Sequence, residues 1–173
     1  MMESGLVRLF VFMLGGSPHE MPASMAGIGF AWIMAAVYLL AGAHNLRLFD
    51  RRPAEEREAL WLTAAPGMPM AMSVLVGVAE EWVFRGYLQS VALSMAEPVY
   101  ALFAVNLLFA LIHFKGGLTF MLSAGFFGMM ASVMTLASES LLPAIVMHGG
   151  WNLLMGIARR REAARLRAVA AEG

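Results

Sequence analysis

The feature that most constrains this chain is its series of long apolar segments. The first, Pro22–Ala43, contains no charged residue, and about 20 apolar residues are enough for a helix to cross a bilayer. Of the 173 residues, 60% are hydrophobic and only 14% are charged. Ordinary soluble domains are about 45–50% apolar and about a quarter charged. The sequence therefore predicts an integral membrane protein rather than a soluble helical protein with a methionine-rich core.

Polar turns and proline residues divide the rest of the chain into further spans. After the polar segment His44–Glu58 and an irregular, proline-containing stretch, four more apolar segments follow: Ser73–Ala92, Val99–Phe114, Leu118–Ala137 and Leu141–Ala158. Residues 5–16 form a shorter apolar segment, which we interpret as an interfacial helix or a short first span. We therefore predict an all-α fold, a polytopic transmembrane helix bundle with five or six spans.

The positive residues orient these spans. They gather in the loop after the first span, at Lys115 and in the tail that begins at Arg159, and five spans put all three regions on one side of the membrane. The opposite side receives Glu97 and Glu139 and neither lysine nor arginine. Because cytoplasmic loops carry the excess of positive charge, we expect a multi-pass protein of the cell inner (plasma) membrane with a cytoplasmic tail.

Composition also excludes several classes of function. The formal net charge is zero and no basic stripe is interleaved with aromatic residues, so we expect no nucleic-acid partner. The chain has no cysteine, which excludes disulfides, thiol catalysis and thiolate metal sites. The lipid bilayer is the one partner that composition alone predicts.

Three charged residues interrupt the apolar segment Ser73–Ala92. A charged side chain at mid-membrane costs about 2.5–3.5 kcal/mol on insertion scales, so such residues persist when they pair, face the bundle interior or take part in chemistry. Glu81 and Arg85 are four residues apart, so they lie on one helix face and are expected to form an ion pair. Glu80 points about 100° away from Glu81 and can reach different neighbours.

Three further polar residues lie in later spans. His113 comes near the end of its segment, and His148 and Asn152 lie four residues apart on one stripe of the last span. In an antiparallel hairpin Glu80 and His113 lie at matching depth, and the other two lie within about 10 Å of that depth at 1.5 Å rise per residue. We therefore predict that Glu80, His113, His148 and Asn152 converge on one pocket in the cytoplasmic half of the membrane.

These side chains suit the hydrolysis of an amide. A carboxylate beside an imidazole is a general-base pair, and a second imidazole with an amide supplies N–H donors for an oxyanion. A serine protease is disfavoured because no serine has a G-x-S-x-G context. Two alternatives stay open: the residues could be structural pairs within the bundle, or Glu80, His113 and His148 could bind zinc, although the H-E-x-x-H spacing is missing.

The motifs in this region resemble those of a known family. Glu80 to Arg85 looks like the E-E-x-x-x-R motif of the CAAX protease and bacteriocin-processing family, also called the Abi family. Phe109–His113 matches its F-x-x-x-H motif, and His148–Asn152 matches its H-x-x-x-N motif. All three occur in the family's order, over Val74–Gly156.

The resemblance implies an intramembrane glutamic endopeptidase. The chemistry of the residues favours a metal-free site, and we expect neither a metal nor another cofactor. By the same resemblance, the catalytic residues would be Glu80 and His113 to activate water and His148 and Asn152 to bind the oxyanion, with Glu81 and Arg85 as support. Relatives cleave prenylated CAAX proteins, are associated with bacteriocin maturation or self-immunity, or process C-terminal sorting tails, so the expected partner is a membrane-associated protein or peptide. The alternative from another class is a non-catalytic immunity or scaffold protein that binds a membrane peptide.

The resemblance also suggests a division of the chain. Residues 1–65 would be N-terminal membrane helices with a cytoplasmic loop, residues 66–158 the catalytic helical core, and residues 159–173 a basic cytoplasmic tail.

Overall fold

The computed structural model describes residues 25–49 and 70–172, and these residues are helical apart from short turns. The all-α prediction is confirmed for this part of the chain, whereas the predictions for residues 5–16 and for 50–69 lie outside it. The elements, in order, are α1 (Met25–Phe49), α2 (Met70–Glu81), a π-helical segment (Trp82–Leu88), α3 (Gln89–Met95), α4 (Pro98–Ile112), a 3₁₀ turn (Phe114–Gly116), α5 (Gly117–Ser138) and α6 (Leu142–Glu172).

Two of these segments are long and apolar enough to cross a membrane. They are Gly27–His44 within α1 and Phe114–Ser138, which includes α5; α4 is also apolar but shorter. The outer faces of α4 and α5 expose large apolar side chains at every fourth residue, namely Phe103, Leu107, Leu111, Leu118, Leu122 and Phe126. Apolar surface of this kind marks contact with lipid or protein. The number of five or six spans stays a prediction.

The predicted turns coincide with the observed helix ends. α3 ends at Met95 and α4 begins at Pro98, whose fixed φ angle suits the first turn of a helix. The predicted turn after α4 contains Gly117 at φ +82°, a backbone conformation that costs glycine little and other residues much more. These two tight connections make α4 antiparallel to both of its neighbours along the chain.

Helix α6 is longer than the last span that the sequence predicts. The apolar stretch ends at Ala158, but the helix continues to Glu172 through the basic tail. Alanine, arginine and glutamate are strong helix formers, and the tail contains neither glycine nor proline before its last residue. The predicted boundary at Ala158 is therefore the end of the apolar stretch and not the end of the helix.

The core lies where α4, α5 and α6 meet. Phe109, Phe127, Met134 and Met147 are buried there, and the Phe109 ring stacks against Phe127 with their centroids 6.4 Å apart. Helix α1 covers this core from the side through Tyr38, whose ring lies 5.4 Å from that of Phe127. Buried polar residues interrupt this apolar core, among them Glu81, Asn106 and His148.

Candidate active site

The acidic pair ends α2, and the π-helical segment follows it directly. In this segment the hydrogen bonds span five residues, as in the bond from the Gln89 N–H to the Phe84 carbonyl. Such wide turns are rare in helices, and those that do occur are often found at functional sites. The sequence predicts one regular helix over this stretch, because the glutamates, Arg85 and the apolar residues around them fit an ordinary helical period.

Arg85 and Glu81 form the predicted ion pair. Arg85 Nη1 donates to Glu81 Oε1 over 3.2 Å, and neither side chain is exposed. The guanidinium carbon lies 4.3 Å from the centroid of the Phe109 ring, a cation–π contact. Two opposite charges in a dry interior are tolerated only when their remaining hydrogen-bonding groups also find partners.

Asn106, which is not among the residues predicted from the sequence, supplies one of those partners. Its Oδ1 accepts from Arg85 Nη2 over 3.1 Å, and its Nδ2 donates to Ser132 Oγ over 2.9 Å and to the Leu102 carbonyl over 2.8 Å. A signal was present in the sequence: Asn106 is an amide in an apolar helix, seven residues before His113 and therefore on the same side.

A glycine makes room for this contact. A Cβ atom on Gly128 of α5 would lie 2.5 Å from Asn106 Oδ1 and 2.6 Å from Arg85 Nη2. Only a residue without a side chain lets the α5 backbone come this close to the buried guanidinium. The ion pair is therefore held by a network across α2, the π-helical segment, α4 and α5.

His148 joins this network from α6. Its Nδ1 lies 2.6 Å from Glu81 Oε1, and its Nε2 lies 3.5 Å from Glu80 Oε2. Because the Glu81 carboxylate is paired with Arg85 and can only accept, we assign a proton to Nδ1 of His148. The second ring nitrogen then faces Glu80, whose side chain is 24% exposed, whereas that of Glu81 is completely buried.

Asn152 lies one turn beyond His148, as the four-residue spacing predicts. Its Nδ2 donates to the Ser73 carbonyl of α2 over 2.7 Å. Gly77 permits this approach, since a Cβ atom there would lie 2.9 Å from Asn152 Nδ2 and 3.2 Å from His148 Cδ2. Of the predicted set, the structure thus brings Glu80, His148 and Asn152 together at the crossing of α2 and α6.

The place of His113 beside Glu80 stays a prediction, and the structure shows the hydrogen bond that its ring makes. It caps the end of α4, and its Nδ1 lies 2.7 Å from the Phe109 carbonyl of the same helix. Its ring contacts Phe109 and Phe120, at centroid distances of 4.7 and 5.6 Å. In the described part of the chain its hydrogen bond is to a carbonyl and not to Glu80, because α4 ends at Ile112 and leaves the imidazole to bind the helix's own last turn.

A metal site of the kind that the sequence left open is not assembled in the described ranges. Within residues 25–49 and 70–172, no three side chains among histidine, aspartate and glutamate are grouped to hold a metal ion. The Phe109 ring contacts both imidazoles of the set that the sequence left open for zinc, with centroid distances of 4.7 Å to His113 and 6.2 Å to His148.

A comparison with protein families bears directly on this arrangement. Residues 61–154 match the family model described as type II CAAX prenyl endopeptidase Rce1-like. The chain belongs to this Rce1-like family. The match covers more than half of the chain and includes Glu80, Glu81, Arg85, His113, His148 and Asn152.

Membership confirms the resemblance that the three motifs predicted. The Rce1-like family is membrane-embedded and has CAAX-type intramembrane protease activity, so the chain is in general a protease of this type, a peptide hydrolase. No curated protein and no solved structure matched the chain.

Proposed function

We propose that this Rce1-like protein is an intramembrane glutamic endopeptidase that cuts a membrane-associated protein or peptide with water activated at Glu80. One observation carries the proposal: His148 is held by the buried Glu81 through Nδ1 at 2.6 Å and presents Nε2 to Glu80 at 3.5 Å. A fixed imidazole between two carboxylates is suited to accepting and returning a proton. The partial exposure of Glu80 supports access of water and substrate to this carboxylate.

The proposed reaction begins with a water beside Glu80. The carboxylate takes a proton from the water, and His148 Nε2 shares this proton. The water oxygen bonds to the carbonyl carbon of the substrate, and the carbonyl oxygen becomes an oxyanion. When the C–N bond breaks, the proton held by Glu80 and His148 passes to the leaving amine. The products are a carboxylic acid and an amine.

Asn152 is proposed to serve the oxyanion side of the reaction. The amide of Asn152 has two N–H groups, and one of them donates to the Ser73 carbonyl. The second N–H is then available to an oxyanion.

His113 donates from Nδ1 to the Phe109 carbonyl, so its neutral ring offers Nε2 as an acceptor and is proposed to assist proton transfer from the water. Whereas the family resemblance implies that His113 is the partner of Glu80, the 3.5 Å contact favours His148 in that role. Glu81 and Arg85 are proposed to position His148.

The location and substrate are also part of the proposal. The apolar outer faces of α4 and α5 and the basic end of α6 support a multi-pass protein of the inner membrane that cuts near the cytoplasmic side. The family description favours a prenylated CAAX carboxyl terminus as the substrate. Precursors of bacteriocins and C-terminal sorting tails are the other substrates to be tested.

The test is cleavage of a farnesylated CAAX peptide by the purified protein in lipid nanodiscs. Glu80→Gln and Glu80→Ala should lower kcat by at least about 100-fold, the usual contribution of a general base. Glu97→Gln is the matched control, because Glu97 is an exposed acid on the turn before α4. His44→Ala, at an exposed position of α1, is the control for His113→Ala and His148→Ala.

Further outcomes of this assay would change the mechanism or the class of protein. Cleavage that persists in folded Glu80→Ala contradicts a glutamic mechanism. Activity that a chelator abolishes and added zinc restores indicates a metal-dependent protease. Immunity or peptide binding that survives Glu80→Ala, with no cleavage of any of the three substrate types, indicates a non-catalytic binding protein.

A further inference from the structure

A second group of buried polar atoms belongs to Arg85, Gln89 and Thr135. Arg85 Nε, Gln89 Oε1 and Thr135 Oγ1 have no hydrogen-bond partner among the described residues. All three residues are deeply buried, with exposed fractions of 1%, 2% and 6%. Native proteins satisfy nearly all such atoms with a protein group or an ordered water molecule.

The hydroxyl of Thr135 differs from the other buried hydroxyl groups of these helices. Ser73 Oγ donates to the Met70 carbonyl and Ser138 Oγ to the Met134 carbonyl, so the helix itself satisfies them. Thr135 Oγ1 makes no such bond to its own helix. Its hydrogen-bonding capacity is therefore directed at the interior of the bundle rather than used within α5.

The helix register puts Gln89 and Thr135 in one layer. The bonds from Arg85 to Asn106 and from Asn106 to Ser132 define a layer across three helices. Since α4 is antiparallel to both neighbours, the chain runs in the same direction along α3 and along α5 as it continues from this layer. Gln89 is four residues past Arg85 and Thr135 is three residues past Ser132, a rise of about 4.5–6 Å in each case.

We infer that Arg85, Gln89 and Thr135 form an internal binding site for a water molecule. The water accepts from the Arg85 Nε–H and donates to Gln89 Oε1 and Thr135 Oγ1, which gives the three hydrogen bonds typical of buried water. The guanidinium repels a cation, and the amide oxygen disfavours an anion, so the site selects a neutral ligand. This water completes the partners of Arg85, whose Nη1 binds Glu81 and whose Nη2 binds Asn106.

A double-mutant cycle with isosteric substitutions tests the site. Thr135→Val and Gln89→Met each remove one partner of the water, and each should lower Tm in nanodiscs by roughly 2–4 °C. The double variant should lose less than the sum, since the second substitution finds the water already weakened. Thr119→Val is the control, because Thr119 is an exposed threonine of the same helix, and its effect should add to that of Gln89→Met.

The sign of the change in Tm distinguishes a bound water molecule from three atoms that have no partner at all. Removing an unsatisfied buried group raises Tm, so an unchanged or raised Tm in either single variant overturns the inference, as do two shifts that add. Thr135→Ser, which keeps the hydroxyl, should retain the coupling to Gln89. An experimental structure should show water density within hydrogen-bond distance of Gln89 and Thr135, and direct contact between the two side chains would overturn the site. Stability and density are measured without a substrate, so the outcome of these tests is independent of the cleavage assay.

Discussion

Glu81 Oε1 lies 2.6 Å from His148 Nδ1, so the second acid of the motif holds the imidazole that the first acid faces. Adjacent residues of identical chemistry therefore occupy two different environments. Glu81 is fully buried and paired with Arg85, and Glu80 is partly exposed at the crossing of α2 and α6. The two acids are expected to respond differently to the same substitution.

Glu81→Gln should lower the stability of the folded protein, and Glu80→Gln should leave it unchanged. Without the Glu81 carboxylate the Arg85 charge stays buried and uncompensated, which costs about 3–5 kcal/mol in such pairs. Glu80 is outside this pair, so its amide variant should keep the Tm while losing activity. Thermal unfolding in nanodiscs measures both variants, and equal losses of Tm in the two would contradict this division.

Asn106→Ala should lower both stability and activity, because Asn106 is a positioning residue that acts through Arg85. The substitution leaves Arg85 Nη2 without a partner, at a cost of about 1–3 kcal/mol for a buried donor. Arg85 binds Glu81 and Glu81 binds His148, so a shift of Arg85 also moves the imidazole. We therefore expect kcat to fall while KM changes little. Leu107→Ala, at the exposed neighbouring position, is the control. A variant with full kcat and reduced Tm would show that Asn106 is structural only.

Arg85→Lys should not preserve function although it preserves the charge. A lysine ammonium lacks the planar fork that reaches Glu81 and Asn106 together, so at least one hydrogen bond of about 1.5–3 kcal/mol is lost. The prediction is checked by the Tm and kcat of the purified variant. Arg167→Lys, in the exposed part of α6, should leave both unchanged. A fully active Arg85→Lys enzyme would mean that charge alone suffices.

Gly77→Ala and Gly128→Ala should both impair the enzyme, for separate reasons. The first places a Cβ atom 2.9 Å from Asn152 Nδ2 and pushes α6 away from Glu80, and the second places one 2.6 Å from Arg85 Nη2. Gly29→Ala is a matched control, since nothing lies within 4 Å of its Cβ and alanine favours the helix by up to about 1 kcal/mol. Cleavage rate and Tm are the measurements, and wild-type activity in Gly77→Ala would falsify the tight crossing.

Several parts of this fold could be predicted from local sequence. The ion pair between Glu81 and Arg85, the turn before Pro98 and the shared face of His148 and Asn152 all follow from spacing within one helix. The role of Asn106 was missed because one amide in an apolar helix gives no local sign of its partner. The partner of Glu80 was not identified either, since matching depth does not fix the direction in which a side chain points.

The sequence by itself determined that the chain is helical and rich in membrane-compatible apolar segments, and which polar residues interrupt them. These properties are local, because composition and a period of 3.6 residues decide them within each segment. Only the tertiary structure decided that Glu80 faces His148 while His113 binds the Phe109 carbonyl at the end of α4. That choice depends on where α4 ends and on how closely Gly77 lets α2 and α6 approach, and both are set by packing between helices distant in sequence.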